Sequence, residues 1–120
     1  MARAGYPVGL TIAPIIAAAG WQDAYGELID DAAKVFADVH DLDLTIELIT
    51  HRYTAGSKSV LESWYPGSAL EMSNRDRVTK RTKFGAEKQV YDAATMSLLR
   101  NFFENRLSVV LPSARTLYWT

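Results

Sequence analysis

The 120-residue chain contains no cysteine, which excludes disulfide bridges, thiolate nucleophiles and cysteine-ligated metal sites within it. Histidine is nearly as scarce: only His40 and His51 are present, and neither has a partner at the spacing of a helical metal-binding motif. The sequence also has no Gly-rich phosphate loop, no dinucleotide fingerprint and no Gly-x-Ser-x-Gly nucleophile. These absences predict a protein that has no cofactor and no metal and is not an enzyme.

No apolar run reaches the roughly 20 residues that a helix needs to cross a bilayer, so we expect no membrane-spanning segment. The apolar segment 7–19 has Thr11 as its one polar side chain. Its small residues imitate a secretory signal, but Pro14 interrupts the run. Two interpretations remain for it. Either it is a buried helix or strand of the protein's own core, or residues 1–19 are an apolar arm that docks on a neighbouring subunit.

The composition is that of one folded domain, residues 1–120. Apolar residues make up 48% of the chain and charged residues 22%, which is ordinary for a globular protein. A chain of this length buries roughly two thirds of its unfolded surface in a single core. The final segment, 113–120, ends in Leu117-Tyr118-Trp119, and a tail that apolar is expected to be tied down against the domain or a partner.

Charge is unevenly distributed along the chain, although the net charge is only −1. Residues 1–50 hold eight acids against two bases, whereas residues 51–120 hold eleven bases against six acids. If folding keeps the two halves apart, the acidic face of one copy complements the basic face of another, and such complementarity steers association. The candidate acidic face lies on the first predicted helix and consists of Asp23, Glu27, Asp30 and Asp31.

Hydrophobic periodicity predicts an α+β fold with two amphipathic helices packed on a small, mainly antiparallel sheet. Apolar residues recur every three or four positions from Trp21 to Val39, and again from Ala86 to about Arg106. Alternation from Leu44 indicates a strand, and β-branched and aromatic residues in 58–65 indicate a second strand that would pair with it as a hairpin. Short terminal strands are expected at 107–111 and 116–120.

The stretch Met72–Phe84, MSNRDRVTKRTKF, places five of the 13 basic residues between positions 75 and 83. If residues 74–84 form a strand, alternation puts most of these cations in one row. Three interpretations of the row remain open. It is a solvated sheet edge whose charges prevent pairing with another strand, a contact for nucleic-acid phosphates, or an interface with the acidic face of another copy. The candidate partner or phosphate contacts are Arg75, Arg77, Lys80, Arg81 and Lys83.

The charge polarity and the apolar segments at both ends indicate a protein whose function lies in its contacts. The size, the order of elements and the segment Ile49-Thr-His-Arg-Tyr-Thr-Ala-Gly56 resemble small tailed-bacteriophage virion proteins of the head–tail or tail-end ring type. This resemblance implies a non-enzymatic, self-associating structural subunit that contacts other assembly proteins, located in a virion or the cytoplasm. The alternative hypothesis is a nucleic-acid-binding accessory protein that uses the basic segment 75–88.

Overall fold

The fold combines a parallel sheet, a separate hairpin and three helices, in a computed structural model that describes residues 1–70, 72 and 75–120. After a short 3-10 turn the elements are β1 (Val8–Ile15), α1 (Trp21–Phe36), β2 (Leu44–Thr50), α2 (Ala55–Trp64), β3 (Arg77–Arg81), β4 (Glu87–Tyr91), α3 (Ala93–Val110) and β5 (Arg115–Trp119). The predicted α+β class is confirmed. Position 74, the first residue of the strand expected in the basic stretch, lies outside the described residues.

The larger sheet has the strand order β1-β2-β5, and both neighbouring pairs are parallel. Strand β2 lies in the middle, and every second side chain from Leu44 to Thr50 is buried. These side chains pack in one apolar cluster with α1 and α3, which also contact each other. The main buried members of that cluster are Ile15, Ile29, Leu44, Ile46, Leu48, Leu99, Phe103 and Leu107.

Helix α2 occupies the segment for which the sequence predicts a second strand, so that expectation is wrong. The cause is a capping box: the Ser57 backbone N–H donates to the Thr54 hydroxyl, and the Thr54 N–H donates to the Ser57 hydroxyl. This local pairing fixes the first helical turn and outweighs the β-branched content that follows. With no strand there, β2 does not form the expected antiparallel hairpin and pairs in parallel on both sides.

Helix α3 begins at Ala93, later than the predicted start at Ala86, because Asp92 is its N-cap. The Thr95 backbone N–H donates to the Asp92 carboxylate at 2.8 Å, and this bond lowers the pKa of that carboxyl below its ordinary value. The residues before the cap form β4 instead of a helical turn. The strand expected at 107–111 is likewise helical as far as Val110.

Both apolar end segments contribute strands to the domain's own sheet. Residues 8–15 and 115–119 lie on either side of β2, and Trp119 packs against the buried cluster. Whether an arm at 1–19 or a tail at 113–120 also docks on a partner stays a prediction. None of the described helices is long and apolar enough to span a membrane.

The predicted acidic face is partly balanced by bases of the same chain. Asp30 binds Arg106 of α3, and Asp31 lies within ion-pair distance of Lys34. Elsewhere Asp43 pairs with Arg115 at 2.8 Å, which links the acidic half of the chain to the basic half. The charge separation seen along the sequence is therefore reduced by folding.

Replacing Phe103 by alanine should lower the free energy of unfolding by about 3–5 kcal/mol, since the ring is fully buried between the helices and the sheet. Phe84→Ala is the matched control, because that ring is 94% exposed and should change the free energy of unfolding little. Urea denaturation followed by circular dichroism measures both. Equal effects for the two variants would contradict this packing.

Candidate functional site

The parallel strands end together at one edge of the sheet, and the polar groups of the site gather there. Ligands of α/β sheets bind at such carboxyl ends. The backbone N–H of His51 donates to the Ile15 carbonyl at 2.8 Å, which holds the ends of β1 and β2 side by side. The Thr50 hydroxyl donates to the Thr120 carbonyl at 2.9 Å, and Arg52 donates to the Thr120 hydroxyl at 2.8 Å. The carboxyl end of β5 is thus joined to that of β2.

The hairpin of β3 and β4 is attached to this same carboxyl edge. Tyr53, just beyond β2, exchanges two backbone hydrogen bonds with Gln89 of β4, with N···O distances of 3.1 and 2.6 Å. The Tyr91 hydroxyl accepts a hydrogen bond at 2.9 Å from the backbone N–H of Ala17, just after β1. Because the chain returns to the sheet edge through these contacts, the basic stretch lies next to the strand ends.

Arg77 makes the closest side-chain contacts between β3 and the sheet edge. Its guanidinium donates to the His51 carbonyl at 2.7 Å and lies 3.0 Å from the His51 Nδ1. The same group lies over the ring of Tyr91, its cross-strand neighbour, with 3.7 Å to the centroid, and 5.2 Å from the ring centre of Tyr53. Hydrogen bonds and cation–π contacts therefore fix the Arg77 side chain.

His51 is buried, with 7% of its surface exposed. Burial of the imidazole, and after it the positive charge of Arg77, lower the pKa of His51 below its ordinary value. The neutral ring suits the observed geometry because its Nδ1 can accept from Arg77 only when that nitrogen carries no proton. Sequence reasoning treated His51 as an ordinary surface or capping residue, and only the position of β3 reveals its contact.

Strand β3 spans Arg77–Arg81, so of the predicted row of cations Arg77 and Arg81 lie on one face of the strand, and both have partners. In the hairpin register Thr79 faces Gln89 and Arg81 faces Glu87, and Arg81 donates to the Glu87 carboxylate at 3.0 Å. Arg75 also has an interaction partner, and Arg77 binds His51. Most of the row predicted to meet a partner is therefore engaged within the chain.

Among the described residues of the hairpin, the cations for which no ion pair is found lie on the opposite face and at the tip. Lys80 stands directly across from Lys88, and neither forms an ion pair with any residue that the structure describes. Like charges directly opposite each other destabilise a strand pair, so an anion between them would relieve the repulsion. Lys83 and the exposed Phe84 lie in the turn that Gly85 closes at φ 83°.

Two of the cavities that adjoin the sheet differ in character. The larger, about 370 Å³, is apolar and lies between β1 and α1. The smaller, about 210 Å³, lies at the carboxyl edge against the backbone of 16–18, with Trp21, Arg77 and Tyr91 among its walls. Over the described ranges, no cluster of three metal-ligating side chains is found. We regard the smaller cavity and the hairpin as the candidate site, because they combine polar groups with the strand ends to which the hairpin is attached.

Comparison with known proteins gives one consistent result. The family model described as spore photoproduct lyase matches residues 1–120. Curated spore photoproduct lyases of Bacillus subtilis and of a Geobacillus species are 33% and 35% identical over 120 residues. Each match covers 100% of this chain and 35% of the relative, so the chain spans about a third of the length of these relatives.

Solved structures agree with the sequence matches. A spore photoproduct lyase double mutant with bound AdoMet and dinucleoside spore photoproduct has a TM-score of 0.92 at 34% identity, covering 99% of this chain and 35% of that one. A spore photoproduct lyase complexed with the dinucleoside spore photoproduct has a TM-score of 0.91 at 33% identity, covering 98% and 34%.

These matches correct the functional interpretation of the sequence. The resemblance to tailed-phage virion proteins is wrong, and so is the non-enzymatic structural subunit that it implied, because the relatives are lyases and lyases are enzymes. The alternative of a nucleic-acid-binding accessory protein is overturned by the same finding. The family match extends over residues 1–120, whereas the sequence interpretation relied on short catalytic signatures and on charge.

The free energy of unfolding should fall as the pH drops below about 6.5, the ordinary pKa of histidine, and level off below the lowered pKa of folded His51. The reason is that the unfolded chain takes up a proton in this window while the folded chain does not. Urea titrations at a series of pH values measure this step. His51→Asn should remove it, whereas His40→Asn, at an exposed histidine, should leave it in place. A step that survives His51→Asn would contradict the assignment.

Proposed function

The chain belongs to the spore photoproduct lyase family, and from this premise we propose that it supplies a substrate-contacting part of a lyase that acts on a dinucleoside photoproduct. The observation that carries the proposal is the match of the family model to residues 1–120. Related structures at 33% and 34% identity hold the dinucleoside spore photoproduct. The carboxyl edge of the sheet and the hairpin on it are the part of this chain best suited to contact such a substrate.

The charge on the hairpin supports contact with the backbone of a nucleic-acid strand. A photoproduct of two linked nucleosides lies between phosphates when it is part of a strand, and lysines neutralise phosphates without reading sequence. Lys80 and Lys88 face each other without an acidic partner among the described residues, and Lys83 follows at the turn. We assign phosphate contact to these three lysines, and not to Arg77 or Arg81, whose guanidinium groups have partners.

The tip of the hairpin adds an aromatic surface. Phe84 is 94% exposed and lies beside Lys83, which is an unfavourable position for an apolar ring unless something covers it. Nucleic-acid bases stack on such rings without sequence preference, at about 1–3 kcal/mol per base. In the proposal, a base next to the photoproduct covers Phe84 while the lysines hold the flanking phosphates.

A related structure holds AdoMet. The cavity at the carboxyl edge measures about 210 Å³, below the roughly 300–1,000 Å³ typical of small-molecule sites. This cavity therefore does not enclose a molecule of that size by itself, and no chemical step through AdoMet is assigned to the residues that line it. A cytoplasmic location and self-association stay parts of the proposal. Self-association is supported by strand β1, which is paired on one side only among the described strands.

The direct test is a binding titration with an oligonucleotide that carries the spore photoproduct and with the same oligonucleotide undamaged. We expect tighter binding to the damaged strand, and an affinity that falls as salt rises because phosphate contacts release counterions. Fluorescence anisotropy of a labelled strand measures both properties. Equal affinity for the two strands, or no binding at low ionic strength, would overturn the proposed function.

Lys80→Ala and Lys88→Ala should each weaken this binding and reduce the slope of log affinity against log salt by about 0.7–0.9 per lost contact. Lys34→Ala on α1 is the matched control, because this exposed lysine lies away from the hairpin and near Asp31. It should leave the slope unchanged. If all three variants change the slope alike, the lysines of the hairpin have no special role.

A further inference from the structure

The hairpin carries the proposed substrate contacts, so its attachment to the sheet decides where those contacts lie. Among the described residues, the backbone of β3 pairs only with β4, and nothing of the sheet runs along its other side. The attachment through β4 consists of the Tyr53–Gln89 backbone pair and the hydrogen bond between Tyr91 and Ala17. On the β3 side, the contact with the sheet edge is Arg77 on His51.

The geometry of Arg77 is that of a side chain held by the protein. The guanidinium donates one hydrogen bond to a backbone carbonyl and a second toward the ring nitrogen of the same residue, which matches the planar fork of arginine. One face of the group covers the Tyr91 ring, and the side chain as a whole is half-buried. Two of the five N–H donors and one face of the guanidinium are thus engaged within the chain.

We propose that Arg77 is a positioning residue, which locks the hairpin onto the carboxyl ends of β1 and β2 through His51 and so presents the lysine face of the hairpin to the substrate. The identity of the substrate in this proposal rests on the proposed function. The attachment of the hairpin to the sheet through Arg77 and His51, which we call the lock, is a property of the chain itself. Arg77 acts through the hairpin and makes no substrate contact itself.

The first test measures the lock without substrate, by hydrogen exchange of the backbone amides. Arg77→Lys keeps the charge but loses the bidentate fork and the stacking plane. Exchange should become faster at β3 and β4, while the amides of β2 stay protected. Arg81→Lys is the matched control on the same strand and the same face, where the partner is the exposed Glu87. It should leave hairpin exchange unchanged.

Two variants at His51, the residue that Arg77 binds, provide a second test. They keep the proposal testable if Arg77→Lys fails to fold. His51→Asn places an amide oxygen near the position of Nδ1 and can still accept from Arg77, so hairpin exchange should stay slow. His51→Phe keeps a ring of similar size but has no acceptor, so hairpin exchange should accelerate. The backbone carbonyl of residue 51 remains in both variants, so the comparison isolates the ring nitrogen.

The third measurement is binding to the damaged oligonucleotide. Since Arg77 is a positioning residue, its change to lysine should weaken binding at least about tenfold, while Arg81→Lys does not weaken it. His51→Phe should weaken binding as well although it leaves the guanidinium intact, whereas a direct phosphate contact by Arg77 would be retained in that variant. Acidification should also weaken binding of the unaltered chain, because protonated His51 repels Arg77 and cannot accept from it. The groups facing His51 are Arg77 of β3 and the Tyr53 ring, with Tyr91 of β4 beyond Arg77. In His51→Asn this acid response should disappear.

Unchanged hairpin exchange in both Arg77→Lys and His51→Phe would overturn the proposal. So would equal acceleration by the control Arg81→Lys, since it would show a general sensitivity of the strand. If the oligonucleotide fails to bind at all while Arg77→Lys still loosens the hairpin, the lock stands and the proposed function fails. The exchange measurement therefore separates the two claims.

Discussion

The parallel pairing of β1, β2 and β5 is the constraint on which the rest of the structure depends. Because neighbouring strands run the same way, their carboxyl ends fall on one edge, and the chain returns through α1 between β1 and β2 and through α2, the hairpin and α3 between β2 and β5. Helices α1 and α3 cover one face of the sheet and bury Phe103 and Leu99 against β2. The hairpin attaches at the polar carboxyl ends of the strands. The candidate site lies at this polar edge because the helices occupy the apolar face of the sheet.

Local patterns in the sequence predict some elements of this fold well. The three- and four-residue spacing beginning at Trp21 predicts α1, and the alternation from Leu44 predicts β2. Parallel pairing is not encoded locally, since β2 pairs with strands about 35 and 70 residues away along the chain. Helix α2 depends on the hydroxyls of Thr54 and Ser57, a cap that competes with the β-branched residues after it.

The candidate site was only partly predictable for a related reason. Five cations close together indicate a charged surface, but the sequence does not say which of them meet acids or rings after folding. Arg77 meets Tyr91 because the two are cross-strand neighbours, and Arg81 meets Glu87 in the same way. That register follows from the turn around Gly85, and it leaves Lys80 and Lys88 facing each other. The family was identified by the match of its model to residues 1–120, and not by a short motif named in the sequence interpretation.

The central claim is that the carboxyl edge of the sheet, together with the hairpin on it, contacts the dinucleoside photoproduct. The most direct measurement is an NMR titration of the isotope-labelled chain with the dinucleoside spore photoproduct, following each backbone amide. The account predicts shifts concentrated at residues 15–18, 50–53 and 77–91, with little change in α2 or at the amino ends of the strands. Shifts confined to α2 or to the apolar cavity beside α1, or no shifts at saturating concentration, would contradict it.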